Sequence, residues 1–162
     1  MSKQIIALVD DHYVHGQIGL RWFHEFQGQL IIIVDNELVN DKLKQGLIEV
    51  AIAGDVQCRY YSQEQAITKL PLLKDKHQTI MLVFPSITKL KDLVKDGLHL
   101  DQIILTSVPF KVDDLRLSDD VSLSQEHIDF LLGQEKKRTK IHVGAYGLEE
   151  SNKFADLIKK HS

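Results

Sequence analysis

The chain has 162 residues, 43% of them hydrophobic and 27% charged, with a formal net charge of −3. That length and composition suit one globular domain with a sizeable core, and the net charge gives no global electrostatic reason to bind nucleic acid, whose recognition usually needs a basic face. No run approaches the roughly 20 apolar residues that span a bilayer, and "MSKQIIALVDD" turns acidic too early for a signal peptide, so a soluble, cytoplasmic protein is expected.

In chain order, "QIIALV" (4–9) reads as a buried strand. The period then changes: Ile18, Trp22, Phe23 and Phe26 fall on one face of a helix over 17–26. "LIIIV" (30–34) is a second buried strand. The following "NDKLKQGLIEVA" is an amphipathic helix, with Leu43, Leu47, Val50 and Ala51 on one face and Asn40 as its N-cap. "VQCRYY" (56–61) is a third strand. It carries the single cysteine, Cys58, which excludes an internal disulfide, fits a reducing compartment and reads as a buried, inert thiol.

Ser62 opens the next helix, with Gln65 placed for a capping box. "TIMLVF" (79–84) is a fourth strand, stopped by Pro85. Ser86 caps a helix that buries Ile87, Leu90 and Val94. "QIILTSV" (102–108) is a fifth strand, and residues 109–123 hold a short strand near Val121. Ser124 caps a helix with Ile128, Leu131 and Leu132 inward. "KIHVGA" (140–145) is the last strand, and a terminal helix over 149–160 uses Phe154, Leu157 and Ile158.

Continuous apolar strands separated by amphipathic helices predict a three-layer α/β/α fold with a mostly parallel central sheet. With no repeat, linker or low-complexity segment, residues 1–162 are expected to form a single domain. The charge run "EKKRTK" (135–140) reads as a solvated turn.

The stretch "LVDDHYVHGQ" (8–17) lies at the end of the first strand, where open parallel sheets bind ligands. His15 sits immediately before a helix, whose first turn offers unpaired N–H groups and a partial positive charge. Gly16 lets backbone amides approach whatever the ring carries. An imidazole there can act as a base, a metal ligand or a nucleophile. If it carried phosphorus, Asp10 or Asp11 would accept the second ring N–H and hold the tautomer. His12 and His15, with His24 nearby, have the types for zinc, but no cysteine pair or separated ligand cluster completes a site, and no metal is expected. His77, His99, His127, His142 and His161 read as surface or strand-end residues. No G-x-G-x-x-G follows the first strand.

"DDHYVHGQIGLRW" resembles the active loop of the IIB subunits of the mannose/fructose/sorbose class of the bacterial sugar phosphotransferase system. That family's loop runs Asp-Asp-Arg-Leu-Ile-His-Gly-Gln, with a tryptophan in the next helix. Asp10, Asp11, His15, Gly16, Gln17 and Trp22 match. "IIIVDNELVND" is similar to the family's second strand and its link to Asn-Asp, so that Asp35, Asn40 and Asp41 correspond. The likeness is specific in the first 41 residues and continues as pattern in "VQCRYYSQEQAITKL" and "VSLSQEHIDFL".

The resemblance implies a phosphocarrier with no metal or organic cofactor. His15 would accept a phosphoryl group from a phosphohistidine on a IIA protein or domain, then pass it to a sugar bound in the membrane-embedded IIC and IID subunits. Asp10 would orient the ring. Backbone amides at Gly16 and Gln17, assisted by His12, Thr106 or Ser107, would hold the phosphoryl oxygens. Asp11, Asp35, Asn40 and Asp41 would frame the loop, although a turn and a helix cap explain the last three as well. The implied location is cytoplasmic, at a membrane transporter, with self-association left open.

Two positions depart from the family. His12 stands where the loop has arginine, exchanging a permanent, forked donor for one whose charge depends on pH. "LTSVPF" stands where the family has a Gly-Gly pair beside the phosphorylated loop. Both departures keep open a second reading, a regulatory or adaptor protein of the same fold with little or no transfer. A third is a metal- or ligand-binding module.

Overall fold

A computed structural model of the chain describes residues 3–14, 18–52, 54, 56–73, 78–95, 97–144 and 153–162. In order, these form β1 (Ile5–Asp10), α1 (Ile18–Glu25), β2 (Leu30–Val34), a 3₁₀ turn (Leu38–Asn40), α2 (Lys42–Ile52), β3 (Gln57–Tyr61) and α3 (Gln63–Lys69). They continue with β4 (Ile80–Phe84), α4 (Ile87–Val94), β5 (Gln102–Ser107), β6 (Leu115–Arg116), β7 (Ser122–Leu123), α5 (Gln125–Lys136), β8 (Lys140–Val143) and α6 (Phe154–His161).

Six strands make one sheet in the order β3-β2-β4-β1-β5-β8, and every pairing in it is parallel. The architecture is the expected three-layer α/β/α. The central strands β1, β2 and β4 are almost wholly buried, as continuous aliphatic runs require when both faces are covered. On one face Trp22, Phe23, Phe26, Ile48 and Ile52 pack against Ile6, Leu8, Ile31 and Ile33. On the other, Ala66, Leu90, Leu131 and Phe154 pack against Ala7, Val9, Ile32 and Leu82.

Right-handed crossovers explain this division. The connections β1→β2 and β2→β3 run one way along the sheet and carry α1 and α2. The connections β3→β4, β4→β5 and β5→β8 run the other way and carry α3, α4 and α5. Neighbouring β1 and β4 therefore send their helices to opposite faces, and the chain diverges at the carboxyl end of β1, the place where such sheets leave a crevice.

Local signals act as their residues suggest. Ser62 and Gln65 form a full capping box on α3. Ser86 and Ser124 accept the Lys89 and His127 amides at the starts of α4 and α5.

Four expectations need correction. The cap of α2 is Asp41, whose Oδ1 accepts the Lys44 amide at 3.0 Å, while Asn40 ends the preceding 3₁₀ turn. The Leu43, Leu47, Val50 and Ala51 face of α2 points to solvent: the helix is anchored by Gln45, Ile48 and Ile52 instead. The Gln45 amide donates to the Leu38 and Val39 carbonyls, so a polar side chain takes the inward place by tying down the 3₁₀ turn. In the 109–123 region, β6 and β7 pair antiparallel and Val108 bridges Val121, where one short strand was expected. Finally, His142 is half-buried in β8 against Trp22 and Phe26. Cys58 is half-buried on edge strand β3, and burial pushes its thiol up to about 11, in keeping with an unreactive thiol. The expected start of the terminal helix at 149–152, and His77, lie outside the described residues.

Candidate functional site

Parallel pairing of β1 with β5 keeps register up to Val9 opposite Leu105, then slips so that Asp10 faces Ser107. The extra residue is Thr106. Such a bulge re-aims side chains at a strand end, and here it brings two successive hydroxyls to two successive carboxylates. Thr106 Oγ1 donates to Asp10 Oδ2 at 2.7 Å and lies 3.3 Å from the Val9 carbonyl. Ser107 Oγ donates to Asp11 Oδ1 through a short bond, and the Asp11 amide donates to the Ser107 carbonyl.

The chain reverses directly after this pair. Asp10 Oδ1 accepts the His12 amide at 2.7 Å and the Asp10 carbonyl accepts the Tyr13 amide at 3.0 Å, closing an Asx turn on a β-turn. Tyr13 follows in the left-handed region, with φ of 60°. Its ring is buried, its hydroxyl donates to Asp35 Oδ2 through a short bond, and Lys44 Nζ lies 5.2 Å from the ring centroid. Asp35 also accepts the Glu37 amide, so one carboxylate fastens the first loop to the turn after β2.

Val14 is buried next, and α1 packs tightly upon it. A Cβ on Gly19 would fall 2.8 Å from Leu8 Cδ2 and 3.5 Å from Val14 Cγ1, so a larger residue in the first turn of α1 would have to push the buried Leu8 side chain aside. His15, Gly16 and Gln17, the residues expected to carry and cradle a phosphoryl group, lie between Val14 and Ile18 and outside the described residues.

Burial raises the Asp10 carboxyl above its ordinary value, against the lowering effect of the Thr106 hydroxyl and the His12 amide. His12 is exposed, with Nδ1 3.0 Å from Asp11 Oδ1 and 3.8 Å from Asp10 Oδ1. Asp10, Asp11 and His12 present ligand atoms that all lie within 4.8 Å of one another. Carboxylate oxygens with an imidazole are donors a divalent cation accepts, but each carboxylate already receives protein donors, so the trio reads as internally satisfied.

The structure thus brings together Asp10, Asp11, His12, Thr106 and Ser107 at one strand end, with Asp35 joined to them through Tyr13. Thr106 is buried and its hydroxyl is committed to Asp10. Asn40 and Asp41 are exposed, and Asp41 serves α2 as its cap. Sequence reasoning passed over Tyr13, Lys44 and Gly19. Tyr13 stands where the family loop has leucine, and an aromatic with a hydroxyl in an apolar position was the available signal.

Comparison with known proteins gives the same frame. The chain is 25% identical over 103 residues to the N-acetylgalactosamine-specific phosphotransferase enzyme IIB component 2 of Escherichia coli (strain K12), covering 64% of this chain and 65% of that protein. It is 23% identical over 155 residues to the mannose-specific EIIAB component of the same strain, covering 96% of this chain and 48% of that protein. It therefore spans 65% of the first relative's length and about half of the second's. The crystal structure of manxB from Thermoanaerobacter tengcongensis superposes with a TM-score of 0.81 at 22% identity, over 99% of this chain and 98% of that one, a likeness of fold. The profile of the PTS system sorbose subfamily IIB component matches residues 5–162, and with that match the chain belongs to the sorbose-subfamily IIB components of the sugar phosphotransferase system.

Proposed function

We propose that this chain is a phosphocarrier: His15 accepts a phosphoryl group from a phosphohistidine on a IIA protein or domain and passes it to a sugar held by membrane IIC and IID subunits. The observation that carries this reading is the turn at the end of β1. There buried Asp10 closes the chain reversal that leads to His15, and Asp11 and Thr106–Ser107 brace it from the neighbouring strand.

In the first step a free ring nitrogen of His15 attacks phosphorus, the donor's N–P bond breaks, and the donor imidazole leaves with the electron pair. In the second, a sugar hydroxyl attacks, the His15 N–P bond breaks, and the hydroxyl proton goes to solvent or a base at the sugar site. Nothing is oxidised or reduced. Amides at Gly16 and Gln17 supply donors to the phosphoryl oxygens, and Asp10 orients the loop. His12, 3.0 Å from Asp11, supplies positive charge only when protonated. Sugar choice resides in the membrane subunits. The chain works in the cytoplasm at the transporter, and no helix among the described residues is long and apolar enough to cross a membrane.

A second reading rests on the same two departures from the family: His12 in place of arginine, and hydroxyls in place of Gly-Gly that are engaged by Asp10 and Asp11. It is an adaptor that binds the partners and transfers slowly. The two separate on incubation with a IIA partner charged by the general phosphodonor chain. A carrier acquires an acid-labile, base-stable adduct that vanishes in His15→Ala. An adaptor binds IIA and stays unlabelled, which would overturn the main reading. His12→Arg should speed transfer and flatten its pH profile.

A further inference from the structure

Helix α2 carries an apolar stripe that its own chain does not cover. Leu43, Leu47 and Val50, spaced i, i+4 and i+7, are 78%, 64% and 80% exposed, and the opposite side of the helix is the one that meets the sheet. Single exposed leucines are ordinary; three in line on one helix are a contact surface without its partner.

Gly46 lies in the same stretch. Glycine in mid-helix is unfavourable, and no close packing among the described residues calls for it, because a Cβ there would meet no atom within 4 Å. A bare backbone beside an apolar stripe lets a second helix approach closely.

We infer that this face pairs with itself, joining two copies of the chain through antiparallel α2 helices about a two-fold axis near Gly46 and Leu47. The stripe is self-complementary in that arrangement, as an isologous contact requires. Leu43 meets the partner's Val50, and Leu47 lies near the axis against the partner's Leu47 and the gap over the partner's Gly46. The charges agree. Lys42 and Glu49, both exposed, share one edge of the stripe near its opposite ends, so the two-fold sets Lys42 beside the partner's Glu49. A parallel pair would carry the same edge of the two helices to opposite sides of the seam, where Lys42 and Glu49 could not meet. On the other edge Lys44 stays over Tyr13 of its own chain, so the seam ends one side chain from the first loop.

Three apolar side chains per copy fall short of the roughly 1,000 Å² that a stable interface buries, so the pair should be weak and concentration-dependent. Sedimentation of the whole chain from low micromolar to near-millimolar concentration should show a reversible monomer–dimer equilibrium. Leu47→Glu should abolish it with an unchanged thermal midpoint, since that side chain is largely exposed. Lys42→Glu and Glu49→Lys should each weaken it several-fold, and together restore it. As an independent check, Leu47→Cys in a Cys58→Ser background should form a disulfide-linked dimer under mild oxidation. A monomer throughout the range, or a dimer indifferent to Leu47→Glu, overturns the inference. So does the finding that Leu47→Glu blocks labelling by a charged IIA partner while no self-association exists, since the stripe would then be that partner's seat. Neither sedimentation nor the disulfide depends on phosphotransfer.

Discussion

Two polar networks stand on β5, each with a histidine, and they are built on opposite principles. At the end of β1, Asp10 and Asp11 meet Thr106 and Ser107 with His12 exposed beside them. On the β5–β8 edge beneath α1, the His142 Nε2 lies 2.8 Å from Gln102 Oε1, and Gln102 Nε2 donates to Gln4 Oε1 at 3.1 Å. There the His142 ring packs 5.0 Å from Trp22, whose indole N–H donates to the Gly144 carbonyl at 2.9 Å. The second network is amide-based and covered by rings; the first is built on two carboxylates and opens to solvent. Burial pushes His142 down to about 4, with Lys140 adding to the effect, whereas burial pushes Asp10 up. The contrast teaches that burial keeps the β8 network sealed against protonation, and that at the β1 network burial works against charge on Asp10, the environment expected of a candidate site.

The largest blow to the sealed network is Trp22→Ala. Trp22 is 1% exposed and touches Phe26 and His142, so urea unfolding should show a loss of about 3–5 kcal/mol. A loss under about 1 kcal/mol would mean that the ring cluster is not a stabilising core.

The pH dependence sharpens the comparison because the two networks have opposite signs. The unfolded chain protonates His142 near 6.5 and the folded chain only near 4. Stability through this group is therefore full above the first value and falls as pH drops through the window, by up to about 3 kcal/mol. His142→Gln should remove that slope from a stability–pH curve. Asp10 acts the other way: its folded-state carboxyl holds a proton more tightly than the unfolded one, so acidification through its titration adds stability.

Tyr13→Phe deletes only the hydroxyl that joins the first loop to Asp35. It should cost about 1.5 kcal/mol, in the range for a bond to a charged acceptor, and slow labelling of the chain by IIA. An unchanged labelling rate would show that the loop needs no anchor to β2. The smallest effect expected is Asp10→Asn. Its amide oxygen can still accept the His12 amide, and the Thr106 hydroxyl keeps the Val9 carbonyl, while the buried charge is gone. Stability at neutral pH should rise by about 0.5–1 kcal/mol as transfer falls. A clear loss of stability would place Asp10 on the structural side of the comparison.

The sequence by itself determined the order of the six sheet strands and of the helices, the parallel sheet and the serine caps. These depend on short-range facts: an aliphatic run buried on both faces, a change of period from two to 3.6, an oxygen three residues before an amide. It also pointed to the end of β1, because Asp10, Asp11 and His15 stand together in one stretch. Tertiary structure alone decided which side of α2 meets the sheet. Leu43, Leu47 and Val50 have the periodicity of a core face, but Gln45 wins the inward position through bonds to a turn that local patterning does not reveal. It alone decided that Thr106 and Ser107 serve two carboxylates, since that needs a one-residue slip between strands 96 positions apart. It likewise placed Tyr13 on Asp35 and His142 under Trp22. Periodicity records which residues share a face; which face is covered, and which distant side chain completes a bond, follows only when the strands are set side by side.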